Sequence, residues 1–369
     1  QFAGNFLEWS SVTLRNFGFI SIVLDFNSLK NFAFVQFVMT NSAFSGTLVN
    51  SMKLLLVVNP SASSVTARTR IVIQKALSAD HRLEVAATSR RGHATRLAQS
   101  AANDNFDLVV VLGGDGTLNE VANGLAGTET ALAALPGGST NVFARTIGLP
   151  DDPVEATGSL LDALEAGSVR RIGLGVMNDR YFLFHAGIGF DAAVVEQVER
   201  QGGFLKRFAG HPLFVAATIN TWLRHYNHKE PSFHISSSSE DVDIGMTETN
   251  GMFAVCLNTD PYTYLGSREI SFSPETNLHT PLAVVTFQSL SPSRLLPVLS
   301  SALGLGSGHI NDSPIIDYQV NVSEGSVSGY DPVPWQVDGD YLGKEKEFTF
   351  SHEAEALNLI LPLGTRDIY

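Results

Sequence analysis

The chain has a single cysteine in 369 residues, Cys256, so no disulfide forms within it and a disulfide-stapled scaffold is excluded. That usage suits a reducing cytoplasm, and Cys256, inside the apolar run Met252–Leu257, reads as a buried strand residue. Cations are scarce as well: 24 Lys and Arg stand against 37 Asp and Glu, for a net charge of −13 and a pI of about 5.2. A surface of that sign repels phosphate backbones, which argues against nucleic acid as a partner. It also argues against holding to an anionic membrane by bulk charge, although a local basic patch can still serve. Long apolar runs are missing too. Even in the Phe-rich stretch 1–51, Ser21, Asp25, Asn27, Lys30, Asn31 and Gln36 interrupt every candidate span.

Residues 1–51 differ from the rest, holding nine of the 23 phenylalanines and only four charged residues, Glu8, Arg15, Asp25 and Lys30. They lack the basic start and small-residue cleavage site of a signal peptide. Met52–Lys53–Leu54 leads directly into the first strand, so 1–51 is expected to be an extension outside the fold, with a membrane-adhering segment as the alternative. A chain begun at Met52 is expected to keep its folding and activity, which solubility and turnover of that truncation would measure. The remaining length suffices for two domains with a sizeable core.

What is present is concentrated in three loops. Leu108–Leu112 is a short, wholly apolar run, the mark of a buried parallel strand. Gly113–Gly114–Asp115–Gly116–Thr117 follows, and its glycines allow a sharp turn and close approach to a ligand. Thr117 is placed to cap a helix starting at Leu118, so that free N–H groups and the positive helix end face one spot. Such a loop forms a phosphate cradle with a carboxylate inside it. Ala131–Leu135 followed by Pro136–Gly137–Gly138–Ser139–Thr140–Asn141 repeats the design, and Leu54–Val58 ends in Asn59–Pro60–Ser61–Ala62–Ser63. In an open α/β sheet such turns gather at the carboxyl edge of the strands. No G-x-x-x-x-G-K-[ST] occurs, and Gly114-x-Gly116 meets Asn119 where a dinucleotide fingerprint needs its third glycine. Without a P-loop lysine, phosphate charge has to be met by backbone N–H groups, a metal ion or an arginine.

The pattern predicts an α/β first domain over 52–167 and a mainly antiparallel, β-sandwich-like second domain over 168–369. Strands are expected at 53–58, 82–87, 107–112 and 131–135, with helices at 65–78, 94–102, 118–125, 142–147 and 154–166. Beyond Gly167, short strands are expected at 169–177, 181–185, 232–236, 253–257, 282–287, 315–322, 336–337, 347–350 and 356–361. Helices are expected at 192–199 and 212–225. Ser236–Ser239 with 240–243 and Glu248–Gly251 reads as a polar hairpin tip or loop.

Asn59–Pro60, Thr88 before Gly92–His93–Ala94, Gly113–Glu120 and Leu135–Asn141 occur in order at compatible spacing. In that combination the chain resembles the diacylglycerol kinase and sphingosine kinase family in its bacterial form, over roughly residues 52 to 363. The resemblance continues through Gly187–Ile188–Gly189–Phe190–Asp191–Ala192 and Val337–Asp338–Gly339–Asp340. Gly-Gly-Asp-Gly alone is also similar to NAD kinases and phosphofructokinases; the Asn59–Pro60 and Pro136–Asn141 turns favour the lipid branch. The resemblance implies a two-domain kinase that transfers the γ-phosphate of ATP, with Mg²⁺, to the hydroxyl of a diacylglycerol-like lipid at the membrane surface. It also implies a cytoplasmic, peripherally membrane-associated protein, with a homodimer as an assembly to test. A sphingoid-base kinase is the runner-up, and a lipid-binding regulator with a decayed site is the reading from another class.

By the same resemblance the nucleotide set is Asn59, Pro60, Ser61, Ala62, Ser63, Thr88, Gly113, Gly114, Asp115, Gly116, Thr117, Leu118, Asn119 and Ser139. Asp115 is expected at the reacting centre, meeting the ATP-bound Mg²⁺ through water or positioning the hydroxyl; capping a neighbouring turn is its structural alternative. Glu120 would favour a helix N-terminus, and His93 a structural place at a helix start. Arg90–Arg91 either faces phosphate or sits on a solvated loop. Asp338 and Asp340 complete the catalytic set, Asp340 at the place where the family usually carries the glutamate proposed as proton acceptor. It is shorter by one methylene, roughly 1.5 Å of reach. A plain Asp-Gly hairpin turn is the alternative there. A second departure is Pro274–Pro281, where His279 and Thr280 replace the Asp-Asp of a structural Mg²⁺ turn, so that segment is not expected to hold the ion. Gly203–Phe208, ahead of the apolar stretch Pro212–Leu223, is either a lipid entrance or a buried helix with a basic lead-in.

Overall fold

Strand and helix alternate from Lys53 because apolar runs of strand length are separated by capped amphipathic segments. The computed structural model describes residues 51–200, 230–239, 246–305 and 309–364. The expectations for 1–50, 203–225 and 240–243 lie outside them. In the first half β1 (Lys53–Val58), β2 (Arg82–Ala87), β3 (Leu108–Gly113) and β4 (Ala131–Pro136) form a parallel sheet in the order β4–β3–β1–β2. Its central strands β1, β3 and β4 are buried almost throughout, as their unbroken apolar runs require. Five helices cover it: α1 (Ala67–Leu77), α2 (His93–Asn103), α3 (Asp115–Leu125), α4 (Val142–Thr146) and α5 (Pro153–Glu165). Their starts follow local chemistry. Thr66 caps α1 by accepting the Thr69 N–H, and Asp152 caps α5 by accepting those of Val154 and Glu155 ahead of Pro153. Gly167, at φ +63°, ends the α5 segment.

The second half is built on β5 (Val169–Met177), β6 (Arg180–Phe182), β7 (His185–Gly189), β8 (Phe233–Ser239), β9 (Met246–Gly251), β10 (Phe253–Leu257), β11 (Thr263–Leu265), β12 (Arg268–Ile270), β13 (Leu282–Phe287), β14 (Ile316–Val337) and β15 (Asp340–Ile360). Helices α6 (Phe190–Arg200) and α7 (Pro292–Ala302) lie among them. Pairing within this half is antiparallel, in the order β13–β10–β7–β14–β15. One apolar cluster, including Phe182, Phe233, Trp335, Phe348 and Phe350, fills its interior. Another, with Phe253, Tyr262, Phe287 and Val298, lies beneath α6 and α7. β15 pairs antiparallel with β5 and meets β4 in parallel at Leu359–Leu132, so the end of the chain returns to the first sheet.

Several expected boundaries are corrected. The stretches at 315–322 and 336–337 belong to one long strand, β14, and those at 347–350 and 356–361 to β15. Tyr181–His185 is not one strand: β6 stops at Phe182 and β7 begins at His185. Of the two alternatives for Ser236–Ser239 and Glu248–Gly251, the hairpin holds: both lie in its paired arms, β8 and β9, and β14 pairs with the other side of β8. The helix after Gly114 starts at Asp115, not Leu118. Gly114, extended at φ −92° and ψ 179°, is its N-cap, so Thr117 lies inside the first turn and caps nothing.

Candidate active site

The three loops converge because asparagine side chains and bare glycine backbones bind them together. Asn59 donates from Nδ2 to the Thr117 hydroxyl at 2.9 Å, while its Oδ1 accepts the Ser61 N–H at 3.0 Å. Gly137 passes so close to β3 that a Cβ there would stand 2.8 Å from the Gly113 nitrogen. Asn141, at φ +48°, accepts the Gly138 N–H on its Oδ1 at 2.8 Å and directs the chain into α4.

The loops form one wall of a cleft of about 460 Å³, whose other wall comes from β7, α6, β11 and the β14–β15 turn. Of the expected nucleotide set, Asn59, Ser61, Ala62, Ser63, Gly114, Asp115, Gly116, Thr117 and Ser139 line it. The rest lie elsewhere. Pro60 is exposed, Gly113 ends a buried strand, and Leu118 and Asn119 face the interior. Thr88 follows β2, with its N–H on the Val58 carbonyl at 2.8 Å. Residues 114–117 bring the N-terminal turn of α3 to the cleft, where unsatisfied N–H groups and the helix dipole favour an anion. Ser63 adds a buried hydroxyl with no hydrogen-bond partner. Among the described residues that line the cleft there is no lysine or arginine.

Among the described residues, four carboxylates line it, and they differ in what holds them. Asp115 accepts the N–H of Val142 at 3.0 Å and of Phe143 at 3.2 Å, so it caps α4, the structural alternative left open for it. Burial raises its pKa, opposed by those N–H groups and helped by the nearby charge of Asp340. Asp338 is buried and accepts from four donors: Asn119 Nδ2 (2.7 Å) and the N–H groups of Leu183 (2.8 Å), Phe184 (3.0 Å) and His185 (3.1 Å). Burial pushes it up to about 7 against the pull of those donors. With Gly339 it forms the two-residue turn between β14 and β15, both residues at positive φ, as a tight hairpin requires. Asp191 accepts from the Tyr262 hydroxyl and from Gln336 Nε2 (2.6 Å), and burial raises its pKa.

Asp340 stands apart. Its carboxylate is 22% exposed and contacts the guanidinium of Arg91 at 3.5 Å, a group itself largely in solvent. It faces the nucleotide loop directly: a Cβ built on Gly116 would lie 3.1 Å from Asp340 Oδ1. Glu120 spends both oxygens on the N–H groups of Gly92 and Ala94, capping α2, and His93 Nδ1 accepts the Ser89 N–H.

Sequence reasoning missed the roles of His185, Asp191, Tyr262 and Gln336. One signal was available in the Gly187-x-Gly189-Phe190-Asp191 run: a Cβ on Gly187 would sit 1.9 Å from Asp191 Oδ2 and 2.6 Å from Gln336 Nε2. Gly187→Ala is therefore expected to dislodge that buried pair and cost about 3 kcal/mol, read from denaturant midpoints. His185 packs against Tyr262 with the ring centroids 4.6 Å apart and the planes tilted by 47°, and its buried Nδ1 has no partner. Burial lowers its pKa from 6.5 to about 3. The unfolded chain therefore binds a proton between these values that the fold refuses, so stability falls as pH drops below 6.5. At pH 5 to 6 His185→Gln should flatten that dependence by about 1.4 kcal/mol per pH unit.

Comparison with known proteins gives this arrangement a context. Residues 53–177 match the diacylglycerol kinase catalytic domain. The chain is 40% identical over 121 residues to the diacylglycerol kinase of Bacillus subtilis, covering 32% of this chain and 39% of that one. It is 38% identical over 145 residues to a probable lipid kinase YegS-like protein of Chromohalobacter salexigens, covering 38% and 44%. The sequence matches thus span about two fifths of those relatives' length. A crystal structure of a diacylglycerol kinase from Bacillus anthracis shares the fold, with a TM-score of 0.60 at 19% identity over 86% of this chain and 99% of that one. The family match stops at Met177, the end of β5, so the second half is related through its fold.

Proposed function

We propose, from the premise that residues 53–177 are a catalytic domain of the diacylglycerol kinase family, that this protein transfers the γ-phosphate of ATP to the hydroxyl of a diacylglycerol-like lipid. The observation that carries the reading is Asp340, the cleft carboxylate that accepts no backbone N–H, facing Gly116 across the phosphate cradle. In this reading the N–H groups at the start of α3 and the hydroxyls of Ser63 and Ser139 bind the phosphates. Mg²⁺, bound with the nucleotide, would neutralise charge on them, and the four carboxylates among the described residues lining the cleft are in keeping with a bound cation. Asp340 takes the proton of the lipid hydroxyl while that oxygen bonds to the γ-phosphorus and the bond to ADP breaks. Asp115 holds α4, and with it the Ser139 loop, in place; Asp338 holds the turn that presents Asp340. The apolar side of the cleft, with Val195, Val198, Tyr264 and Leu265, takes the lipid.

Incubation with labelled ATP, magnesium and a total lipid extract tests this. The expected product is a labelled phospholipid whose parent carries a free hydroxyl. ATP binding without any lipid product would support the regulator instead.

A further inference from the structure

Helix α7 is two-faced in a way that its own fold does not use. Val298 and Ala302 are buried against the second half, whereas Leu296 is 64% exposed and Leu299 37%, with Leu305 just beyond at 62%. Leucines left in water on one face of a short helix call for a partner. Charge narrows the choice. From Thr276 to Asn311 there is no aspartate or glutamate, in a chain with 37 of them, and the one charge on α7 is the exposed Arg294. The neighbouring segments do carry acids, among them the exposed Glu275, which lines a cavity with Ala302 at the end of α7. Glu269 lies on β12 beside the exposed Arg268, and Asp312 turns its carboxylate to the His309 N–H at 3.1 Å.

Position connects this face to the cleft. The Ser271 N–H, just after β12, donates to the Ala302 carbonyl at the end of α7 at 2.9 Å. The β11–β12 hairpin in turn places Tyr264 and Leu265 in the cleft wall, with Leu265 42% exposed.

We infer that α7 with Leu305 is the face by which the protein sits on an anionic bilayer, its leucines entering the acyl boundary and Arg294 and Arg268 meeting phosphate headgroups. A chain of net charge −13 approaches such a surface best through a face poor in its own acids, and here the exposed Glu269 is the acid beside Arg268. Apolar area gives the insertion and the arginines the attraction, as in interfacial helices. The inference rests on the lipid-kinase reading for its purpose, since a lipid substrate has to be drawn from that layer.

Sedimentation of the full chain with vesicles of phosphatidylcholine and phosphatidylglycerol tests it apart from catalysis. The double variant Leu296→Ser with Leu299→Ser should partition roughly tenfold or more weakly, since two leucines no longer leave water. Its melting and its turnover of detergent-dispersed lipid should stay as in the parent. In Leu296→Trp, emission should move to the blue when vesicles are added. Unchanged sedimentation of the double variant, or water-like emission from the vesicle-bound tryptophan variant, would overturn the inference. So would gel filtration in which the parent is a dimer and the double variant a monomer, which would give the face to a second copy. Leucine-dependent vesicle binding without any kinase activity would instead sink the functional reading and leave the docking face standing.

Discussion

Asp340→Asn is expected to lower kcat by about 100-fold or more with little change in the KM for ATP. Asparagine keeps the size of the side chain and loses its capacity to take a proton, an effect felt mainly in the transition state. The Arg91 contact is exposed, so its loss adds little to the folding energy, and melting should barely move. Asp340→Glu restores the residue usual in the family. Because the native carboxylate is partly in solvent, the extra methylene can swing outward, and the variant should retain activity. Asp115→Asn is the control. The Val142 and Phe143 N–H groups sit on different oxygens of Asp115, so the amide NH₂ of asparagine would face one of them, and the cap weakens by about 1 kcal/mol. The Ser139 loop then shifts, and kcat should fall by roughly 100-fold through misplacement. Its signature is a raised KM for ATP and a lowered melting point together. Wild-type turnover by Asp340→Asn beside a dead Asp115→Asn would move the proton acceptor to Asp115. Full activity in both would end the catalytic model.

The first half was legible because its information is local. A strand such as Leu108–Leu112 is apolar on both faces, and the glycines that follow it mark a turn whatever the rest of the chain does. The long strands were less so. β14 runs through Gly325, Gly329 and Pro334, residues poor in strands, and its continuity comes from β8, β13 and β15 pairing along it. β8 defeats hydropathy more completely. Ser237 is buried with its hydroxyl on Gln319, which also accepts the Thr247 hydroxyl at 2.7 Å. A polar ladder satisfied across three strands has no signature in any one of them.

The site divides along the same line. Loop residues expected from the sequence to gather at one edge do line one cleft, among them Asn59, Gly114, Gly116 and Ser139. His185 and Asp191 on one segment, Tyr262 on a second and Gln336 on a third meet only after folding. The role of each aspartate was likewise a tertiary matter. Asp115, Asp338 and Asp340 look alike in sequence, and only their donors separate a cap, a linchpin and a partly exposed carboxylate.

Asp338→Asn puts that distinction to its severest test. All four neighbours of this carboxylate are donors, two at each oxygen: Asn119 Nδ2 and Leu183 N–H at Oδ2, Phe184 and His185 N–H at Oδ1. Whichever way the asparagine amide turns, its NH₂ faces two donors and leaves them buried without partners. The expected loss is about 3 kcal/mol or more, or roughly 6–10 °C in melting temperature for a unit of this size. Because Asn119 is the strut on α3 and residues 183–185 lead into β7, the same change loosens the turn that carries Asp340 against the nucleotide loop. Activity should therefore fall together with stability, unlike Asp340→Asn, where activity falls alone. Burial already favours the neutral acid, up to about 7. A protonated Asp338 would meet the same conflict between donors, so the four hydrogen bonds pull toward the carboxylate while burial pulls against it. An Asp338→Asn variant that melts with the parent would show that burial outweighs these donors and that the turn holds without the charge.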